Sequence, residues 1–371
     1  MSEKLLRFGI VGIGGRPMAF LSAFEKSGKA KLAAVCDIDR EIMDKNTEGI
    51  DSVLKFTDYE EMLDKADLDA VIVGTPIHLH VTQSIAALKR NIHVFSEVTA
   101  GITLEECKEL VEACKASKAQ YMLGENCNFL RSNMIVENMV KKGLFGSLCY
   151  AEGEYNHDCR NLIPKTPWRK KYVFDVAGIT YGTHSLGPIL SWLEDDRVTS
   201  VCCATSNSAT TTLEGEPLLA GTCHTMLCKT EQGRLIKIKN NMLSPRPYGL
   251  NYTLEGSNAA FQSFRLEDQV DNPDYIWFDG KSPKTKWEDI SLYEEGFVPE
   301  IWQKHSGENN AKGHEGADVI TMIAFIDAIY DGKKVPIDIH KAMDMTLPGL
   351  ISQLSVKQKG AWLEVPNSRE W

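Results

Sequence analysis

Apolar and polar positions along the first third of the chain alternate in a strand–helix rhythm. Short apolar runs, typical of buried strands, cover residues 8–13, 32–36, 70–73, 93–95 and 121–123. Between them lie stretches with helical periodicity, among them 59–65, 81–90 and 104–117, the last with Thr103 as its N-cap. Because strands that alternate with helices pair in parallel, this part predicts an α/β domain with a doubly wound parallel sheet.

After Glu125 the pattern changes to longer segments of alternating polarity. A predicted helix at 132–142 ends at Gly143, and predicted strands follow at 149–155, 198–204, 220–229, 235–241 and 252–256. Two helices, at 317–330 and 340–357, close the chain. We therefore predict one domain at 1–124 and a second, α+β domain at 125–371 with a large, open, mostly antiparallel sheet. The active site is expected between them.

The first apolar run leads into a glycine-rich turn, and the second ends in Asp37. Gly12 permits a tight turn out of the strand, and Gly14 lets backbone amides approach a pyrophosphate where the next helix starts, near Pro17. Pro17 holds the third glycine position of the full pattern, where a first-turn proline is tolerated. A carboxylate at position 37 accepts the ribose hydroxyls of NAD and repels the extra phosphate of NADP. The pattern predicts a Rossmann-type nicotinamide site, with an ordinary glycine-rich turn as the alternative.

Composition and charge exclude several classes of protein. The formal net charge of −10 argues against nucleic-acid binding, because phosphate backbones require a basic face. No apolar run is long enough to span a bilayer, and the short stretch before the first strand leaves no room for a cleaved signal peptide. None of the ten cysteines forms a C-x-x-C pair, so we expect buried reduced thiols in a cytoplasmic protein.

Three motifs resemble the Gfo/Idh/MocA family of nicotinamide-dependent sugar oxidoreductases. They are Gly12-Ile13-Gly14-Gly15-Arg16, Gly74-Thr75-Pro76-Ile77-His78-Leu79-His80 and Phe95-Ser96-Glu97-Val98. In that family a Thr-Pro segment and a Glu-Lys-Pro segment surround the nicotinamide, and the lysine serves the reacting hydroxyl. Here Val98 and Thr99 hold the lysine and proline positions. His184 matches the catalytic histidine of the family, and Thr180 stands where an acid is often found.

At these positions and in several further strings, the sequence is similar to one branch of the family, the NAD-dependent α-N-acetylgalactosaminidases of the glycoside hydrolase family 109 type. The strings that carry this likeness are Glu97-Val98, Gly124-Glu125-Asn126-Cys127, Tyr181-Gly182-Thr183-His184-Ser185-Leu186-Gly187-Pro188, Ser244-Pro245-Arg246-Pro247-Tyr248 and Gly313-His314-Glu315-Gly316-Ala317-Asp318. Members of that branch often carry an export leader and have proline at the position of Thr99. Both differences favour an oxidoreductase over a hydrolase.

Candidate site residues combine the motif positions with this resemblance. Those expected at NAD are Gly12, Gly14, Gly15, Arg16, Asp37, Thr75, Pro76, His80, Glu97 and Asn126. Those expected at the substrate are Glu125, Arg160, Trp168, Arg169, Tyr248, Tyr252 and His314. For most of them a structural or surface role is the alternative. No metal site is predicted, because the spacing of His78, His80 and His157 matches no compact zinc pattern.

Proton transfer is expected from His184, because an unperturbed imidazole titrates near neutrality. Tyr181, three residues earlier, and Tyr155, at the end of a predicted strand, are candidates for the second acid/base group. Simple packing of His184 at a helix start is the alternative.

The sequence thus predicts an NAD-dependent enzyme that oxidises the C3 hydroxyl of a glycoside to the 3-keto form. The first alternative is an α-N-acetylgalactosaminidase-like glycosidase that oxidises C3 transiently, eliminates the aglycone, adds water and returns the hydride. A further alternative is a non-catalytic regulator that senses nicotinamide or sugar. The expected partner is a small sugar or glycoside, with no nucleic acid and no membrane, and the resemblance implies a homo-oligomer.

Overall fold

A computed structural model of the chain describes residues 5–50, 52–206, 210–218, 220–263, 273–305 and 314–371. The chain divides into two compact units. The first comprises Met1–Leu130, Ile301–Met343 and Ser368–Trp371, and the second comprises Arg131–Glu300 and Asp344–Asn367. The domain boundary after residue 124 stays a prediction, since compact units describe packing rather than independent folding.

The first unit is built on a parallel sheet. Its strands are β1 (Leu6–Val11), β2 (Ala30–Cys36), β3 (Leu54–Phe56), β4 (Ala70–Val73), β5 (His93–Ser96) and β6 (Tyr121–Leu123). The helices among them are α1 (Leu21–Ser27), α2 (Arg40–Asn46), α3 (Tyr59–Lys65), α4 (His80–Lys89) and α5 (Leu104–Ala116). The six strands pair in parallel in the order β3-β2-β1-β4-β5-β6. This confirms the predicted doubly wound sheet.

Side-chain caps start three of these helices. Asp39 Oδ1 accepts a hydrogen bond from Glu41 N at 2.9 Å where α2 begins. Asp58 caps α3 through Glu61 N, and Thr103 caps α5 as predicted, accepting from Glu106 N at 3.1 Å. Each cap satisfies a backbone donor that the helix itself leaves without a partner.

The second unit carries a larger sheet. Its elements are α6 (Arg131–Lys141), β7 (Leu148–Asn156), α7 (Thr183–Trp192), β8 (Val198–Thr205), β9 (Thr210–Thr211), β10 (Pro217–Leu218), β11 (Cys223–Thr230), β12 (Leu235–Asn241), β13 (Gly249–Gly256), β14 (Ala259–Gln262), β15 (Tyr275–Phe278) and β16 (Glu288–Asp289). The chain ends with α8 (Glu300–His305), α9 (Ala317–Tyr330), α10 (Ile339–Lys357) and β17 (Leu363–Glu364). Nine strands form one sheet in the order β16-β15-β14-β13-β7-β12-β11-β8-β17, and β9 pairs with β10 in a separate ribbon. The predicted open, mostly antiparallel sheet is confirmed.

One strand pair of this larger sheet is parallel. Among neighbouring strands in the described part of this sheet, only β12 and β7 pair in parallel, with Asn240 opposite Tyr155 and Asn241 opposite Asn156. Both strands therefore end at the same edge of the sheet. The segments that follow them leave side by side, because His157 N donates to Asn241 O at 2.9 Å and Cys159 N to Met242 O at 2.8 Å.

Aromatic packing fixes α9 on the parallel sheet of the first unit. The ring of Phe325 lies with its centroid 6.0 Å from that of Phe8 in β1 and 5.5 Å from that of Phe95 in β5. All three side chains are buried. Aromatic pairs at such separations stabilise a core beyond the area they bury.

The cysteines are free and most are buried. Six of the ten are buried and only Cys149 is exposed, in agreement with the expected reduced thiols. None of the helices in the described ranges combines the length and apolar character that crossing a membrane requires. The cytoplasmic location and the homo-oligomer stay predictions.

Candidate active site

Two groups of candidate residues emerge, one in each unit. The first, called the cofactor edge below, comprises the segments that follow β1, β2, β4, β5 and β6 at their carboxyl ends. In doubly wound sheets ligands bind outside this edge. The second, called the ring cluster, comprises Tyr155, His157, Tyr181, His184 and Tyr248.

The turn after β1 passes close to the segment after β4. Gly12 has φ of +83°, and a Cβ added to it would lie 2.7 Å from Thr75 N. Gly12 N also donates to Cys36 O at 2.9 Å, which ties the turn to the end of β2. Only glycine fits this position, both for its backbone conformation and for the space available.

The rest of the turn faces open space. A Cβ added at Gly15 would meet nothing within 4 Å, and one at Gly14 would meet only Ile42 at 3.9 Å. A short 3₁₀ helix, Arg16–Phe20, follows and leads into α1. The predicted helix start near Pro17 is thus a 3₁₀ turn first. The Pro17 ring packs directly against Gly74, where any Cβ would overlap it. A glycine directly after β4 thus provides the close approach for which the usual pattern has a glycine at position 17.

Asp37 lies directly after β2. It is half-buried, and its Oδ1 accepts a hydrogen bond from Asp39 N at 3.1 Å. Arg40 opens α2 three residues later and is exposed. The carboxylate therefore stands at the end of the strand next to β1, the position from which an acid reaches a ribose.

His80 joins the segments after β4 and β5 from within the core. It is buried, with Nε2 2.8 Å from Thr75 O and Nδ1 3.2 Å from Thr99 O. Burial lowers its pKa, which favours the neutral ring. Thr75 Oγ1 also donates to Gln83 Oε1 at 2.5 Å. A neutral ring has one N–H, so His80 donates to one of these two carbonyls and lies between the segments that were predicted to hold the cofactor.

A charged network spans the same edge. Asp318, in the first turn of α9, is fully buried and accepts two hydrogen bonds of 2.5 Å from the Arg16 guanidinium. Its Oδ1 also accepts from Asn126 Nδ2 at 2.8 Å. Glu97, which follows β5, lies 3.4 Å from Arg16 Nε. Glu125 is fully buried beside this network, and its Oε1 accepts from Cys127 N at 3.1 Å.

The ring cluster lies in the second unit. Tyr155, at the end of β7, has its ring centroid 5.1 Å from that of His184 and 6.0 Å from that of Tyr181. The rings of Tyr181 and His184 are 5.0 Å apart. Tyr248, which follows β12, lies 5.3 Å from His157 and 6.1 Å from Tyr155. The structure therefore brings together the three residues predicted to be catalytic.

Hydrogen bonds to backbone carbonyls hold two members of the ring cluster in place. The Tyr252 hydroxyl donates to His184 O, and Asn240 Nδ2 donates to Tyr181 O at 3.2 Å. Tyr252 is fully buried against Trp192, with ring centroids 5.8 Å apart. Tyr252 was predicted at the substrate, but it lies in the core and supports the backbone of His184 instead.

His157 is the member of the cluster that sequence reasoning considered only for a metal. Its Nδ1 lies 3.0 Å from the Tyr155 hydroxyl, within hydrogen-bond distance. Spacing of two residues along an extended segment, which puts both side chains on one face, was the available signal. Asp318 was quoted in a motif but was not predicted as a site residue. An acid in the first turn of a strongly apolar helix is a signal that could have indicated it.

Three further substrate candidates, Arg160, Trp168 and Arg169, lie on the segment after β7. Arg160 pairs with Asp158 through two bonds of 2.8 Å, and this pairing lowers the pKa of Asp158. The Arg169 guanidinium lies 4.5 Å from the ring centroid of Trp168. Burial raises the pKa of Cys159 to about 12, while Arg169 and His184 act on it in the opposite direction. The side chain of His314 lies outside the described part of the chain.

Comparison with known proteins identifies the family. The family model described as "Glycosyl hydrolase 109, C-terminal domain" matches residues 129–370. The chain belongs to the glycosyl hydrolase 109 family. Residues 6–125 of this glycosyl hydrolase 109 protein match a second model, "Oxidoreductase family, NAD-binding Rossmann fold". The predicted resemblance and the predicted NAD cofactor are thereby confirmed.

Curated relatives cover nearly the whole chain. A glycosyl hydrolase family 109 protein of Solibacter usitatus is 28% identical over 98% of this chain and 88% of its own length. An alpha-N-acetylgalactosaminidase of Shewanella oneidensis is 26% identical over 98% of this chain and 85% of its own length.

Solved structures share the fold. An NAD-binding oxidoreductase from Klebsiella pneumoniae superposes with a TM-score of 0.82 at 16% identity, covering 98% of this chain and 100% of that one. A levoglucosan dehydrogenase in complex with NADH and levoglucosan gives a TM-score of 0.78 at 16% identity, with the same coverage. At such identities the likeness supports the architecture rather than a substrate.

The cofactor edge fits NAD on its own geometry. The turn at Gly14 and Gly15 leaves room for a pyrophosphate beside backbone amides, and only glycine fits at Gly12. Asp37 would hold the adenosine ribose. Arg16, Thr75, Glu97 and Asn126 line the ends of the neighbouring strands.

Proposed function

We propose that this glycosyl hydrolase 109 protein oxidises the C3 hydroxyl of a glycoside in an NAD-dependent reaction. The observation that carries the proposal is the ring cluster, in which His184 contacts two phenols, Tyr155 and Tyr181, and has its backbone anchored by Tyr252. An imidazole held among uncharged rings suits a neutral polyol, because aromatic faces pack against sugar rings. The NAD cofactor supplies the other half of the reaction.

In the proposed reaction His184 takes the proton of the C3 hydroxyl as general base. NAD, when bound, supplies the acceptor for the hydride that leaves C3. The C3–H and O–H bonds break and a C=O bond forms, so the sugar loses two electrons and two hydrogens. The buried Val98, at the position of the lysine found in related oxidoreductases, leaves His184 as the base.

A second function, net glycoside hydrolysis, is favoured by the Tyr155–His157 hydrogen bond. Once C3 is a ketone, the C2 hydrogen is acidic because the carbanion delocalises into the carbonyl. A phenol that passes its proton to His157 becomes a base able to remove that hydrogen, and the C1–O bond then breaks to release the aglycone. Water adds across C1 and C2, and reversal of the first step at C3 restores the sugar. The match to the glycosyl hydrolase 109 C-terminal domain supports the same function.

The experiment is incubation of the wild-type protein with a panel of activated O-glycosides and substoichiometric NAD. Accumulation of a 3-keto-glycoside without free aglycone supports the oxidoreductase. Many turnovers of aglycone release without an external oxidant support the glycosidase. If the whole panel yields neither product while NAD binds, the protein is a non-catalytic sensor and both proposals are wrong.

Two phenol variants locate the second acid/base group. In heavy water, the glycosidase exchanges the C2 hydrogen of the substrate for deuterium. We expect Tyr155→Phe to stop this exchange and aglycone release while leaving reduction of bound NAD. The matched variant Tyr181→Phe is expected to weaken sugar binding and oxidation together. The reverse pattern would assign the base to Tyr181.

A further inference from the structure

Asp318 is the point at which three segments of the first unit meet. Arg16 begins the short 3₁₀ helix that follows β1, Asn126 begins a second one after β6, and Asp318 lies in the first turn of α9. The carboxylate accepts from both of the other side chains, at 2.5 Å and 2.8 Å. These partners are 302 and 192 residues away in sequence, so the contact exists only in the folded unit.

The geometry of the contact restricts both partners. Two parallel bonds from one guanidinium to one carboxylate define a plane, so the Arg16 side chain has a single orientation. The amide of Asn126 is oriented as well, since its nitrogen donates to the same carboxylate. The first turn of a helix favours a negative charge, which suits a carboxylate at this position.

Stability alone is a poor explanation of this arrangement. Phe325 already anchors α9 to β1 and β5, and a buried ion pair often adds no more stability than apolar groups of similar volume. The network instead lies at the carboxyl ends of the parallel strands, where ligands bind in doubly wound sheets. Its orienting effect is therefore directed at a ligand.

We propose that Asp318 is a positioning residue for NAD, acting through Arg16 and Asn126. It orients the guanidinium and the amide toward the pyrophosphate and nicotinamide half of the cofactor, away from the adenosine half at Asp37. The inference rests on the NAD-dependent function proposed above. Asp318 itself touches neither the cofactor nor the substrate.

The test is the affinity of the full-length Asp318→Asn variant for two probes, NADH and AMP. The variant has the same size but places an amide NH₂ against the donors of Arg16 and Asn126. We expect NADH affinity, measured by nicotinamide fluorescence, to fall about tenfold or more, and AMP affinity, measured by calorimetry, to change less than about twofold. A purely structural defect would lower both affinities in the same proportion, and that result would overturn the proposal.

Asp327→Asn is the matched control. It removes one carboxylate from the same helix and breaks an ion pair with Lys29 of 2.8 Å, but lies away from the network. We expect its NADH affinity to equal that of the wild type. A loss equal to that of Asp318→Asn would show that any ion pair on α9 has this effect.

A double-mutant cycle tests the route of the effect. If Asp318 acts through Arg16, then adding Arg16→Gln to Asp318→Asn lowers NADH affinity by less than the product of the separate losses. Independent losses contradict the proposal. If Asp318→Asn does not fold, Arg16→Lys serves instead, because it keeps the charge and removes the two-pronged contact. Unchanged NADH affinity in that variant would also overturn the proposal.

These measurements contain no glycoside. Their outcome is therefore separate from that of the oxidation proposed above: the protein can lack activity on every glycoside tested and still show the Asp318 effect on NADH. Glycoside oxidation can likewise proceed in a protein whose Asp318 is only structural.

Discussion

The cofactor edge and the ring cluster are made of different chemical groups. The edge combines a glycine turn, which presents backbone amides, with formal charges on Arg16, Glu97 and Asp318. The cluster consists of rings, three phenols and two imidazoles, held by hydrogen bonds to backbone and to each other. Backbone amides and the Arg16 guanidinium suit a ligand with a pyrophosphate. Rings suit a neutral sugar, whose ring face packs on them and whose hydroxyl exchanges a proton.

The largest expected effect tests the cluster. We expect His184→Ala to lower the rate of glycoside oxidation about a thousandfold, within the range that general-base catalysis contributes, because the base for the C3 hydroxyl is lost. NADH binding should be unchanged, since the cofactor edge is untouched. The measurement is reduction of bound NAD on mixing with glycoside. Tyr252→Phe, which loses only the hydrogen bond to His184 O, should lower the rate less. If His184→Ala oxidised glycosides at nearly the wild-type rate, His184 would not be the general base.

A second prediction concerns the effect of adding a positive charge to the cofactor edge. Val98 is only 5% exposed, and Val98→Lys places an ammonium there. We expect a loss of about 3 kcal/mol in the free energy of unfolding, as for an uncompensated buried charge, and no gain in turnover. Val98→Met, of similar length without the charge, is the control. A marked increase in oxidation rate by Val98→Lys would mean that this position still accepts the lysine of the related oxidoreductases.

A third prediction separates structural from reactive imidazoles within the second unit. His224 in β11 is buried, and its Nδ1 lies 2.6 Å from Thr205 Oγ1. Burial lowers the pKa of His224 from 6.5 to about 4. Between these values the unfolded chain binds a proton that the folded chain does not, so stability falls as the pH drops from 6.5 toward 4.

His224→Asn keeps a hydrogen-bond acceptor near the place of Nδ1. We expect it to reduce the slope of the unfolding free energy against pH, between pH 4 and 6.5, by up to about 1.4 kcal/mol per pH unit. The measurement is urea unfolding across that pH range. An unchanged slope would show that His224 is protonated in the folded protein.

The smallest expected effect concerns the adenosine end of the cofactor edge. Asp37→Ala should weaken NAD binding about tenfold and narrow the preference over NADP, because the ribose hydroxyls lose their acceptor. Asp44→Ala, which removes an exposed acid of α2 paired with Lys55, should leave both affinities unchanged. Equal or better binding of NADP by the unmutated protein would contradict the assignment of Asp37.

The two regions also differ in how far sequence predicts them. The glycine turn, Asp37 and the strands β1, β2, β4, β5 and β6 follow from local periodicity and turn chemistry. The three-residue edge strand β3, with Leu54 exposed, lacks the apolar run that marks its neighbours. Short-range spacing is enough for Tyr181 and His184, which share one turn.

Contacts that depend on tertiary structure were not predicted. Tyr248 meets His157 because β13 pairs with β7, with Gly249 opposite Asn156, and no local pattern fixes that register. Asp318 meets Arg16 across 302 residues, and only the packing of α9 on the sheet brings them together. Tyr252 was assigned to the substrate because it flanks a turn together with Tyr248, and its full burial decides for the alternative, packing in the core.

The parallel pairing of β7 with β12 has a consequence for how this site can diversify. His157 lies on the segment after β7, and backbone bonds from His157 N to Asn241 O and from Cys159 N to Met242 O join this segment to the one after β12. A change in the length of one segment therefore disturbs its bonds to the other, so the two segments are expected to vary together. For protein engineers, the two segments are one unit and should be exchanged together rather than singly.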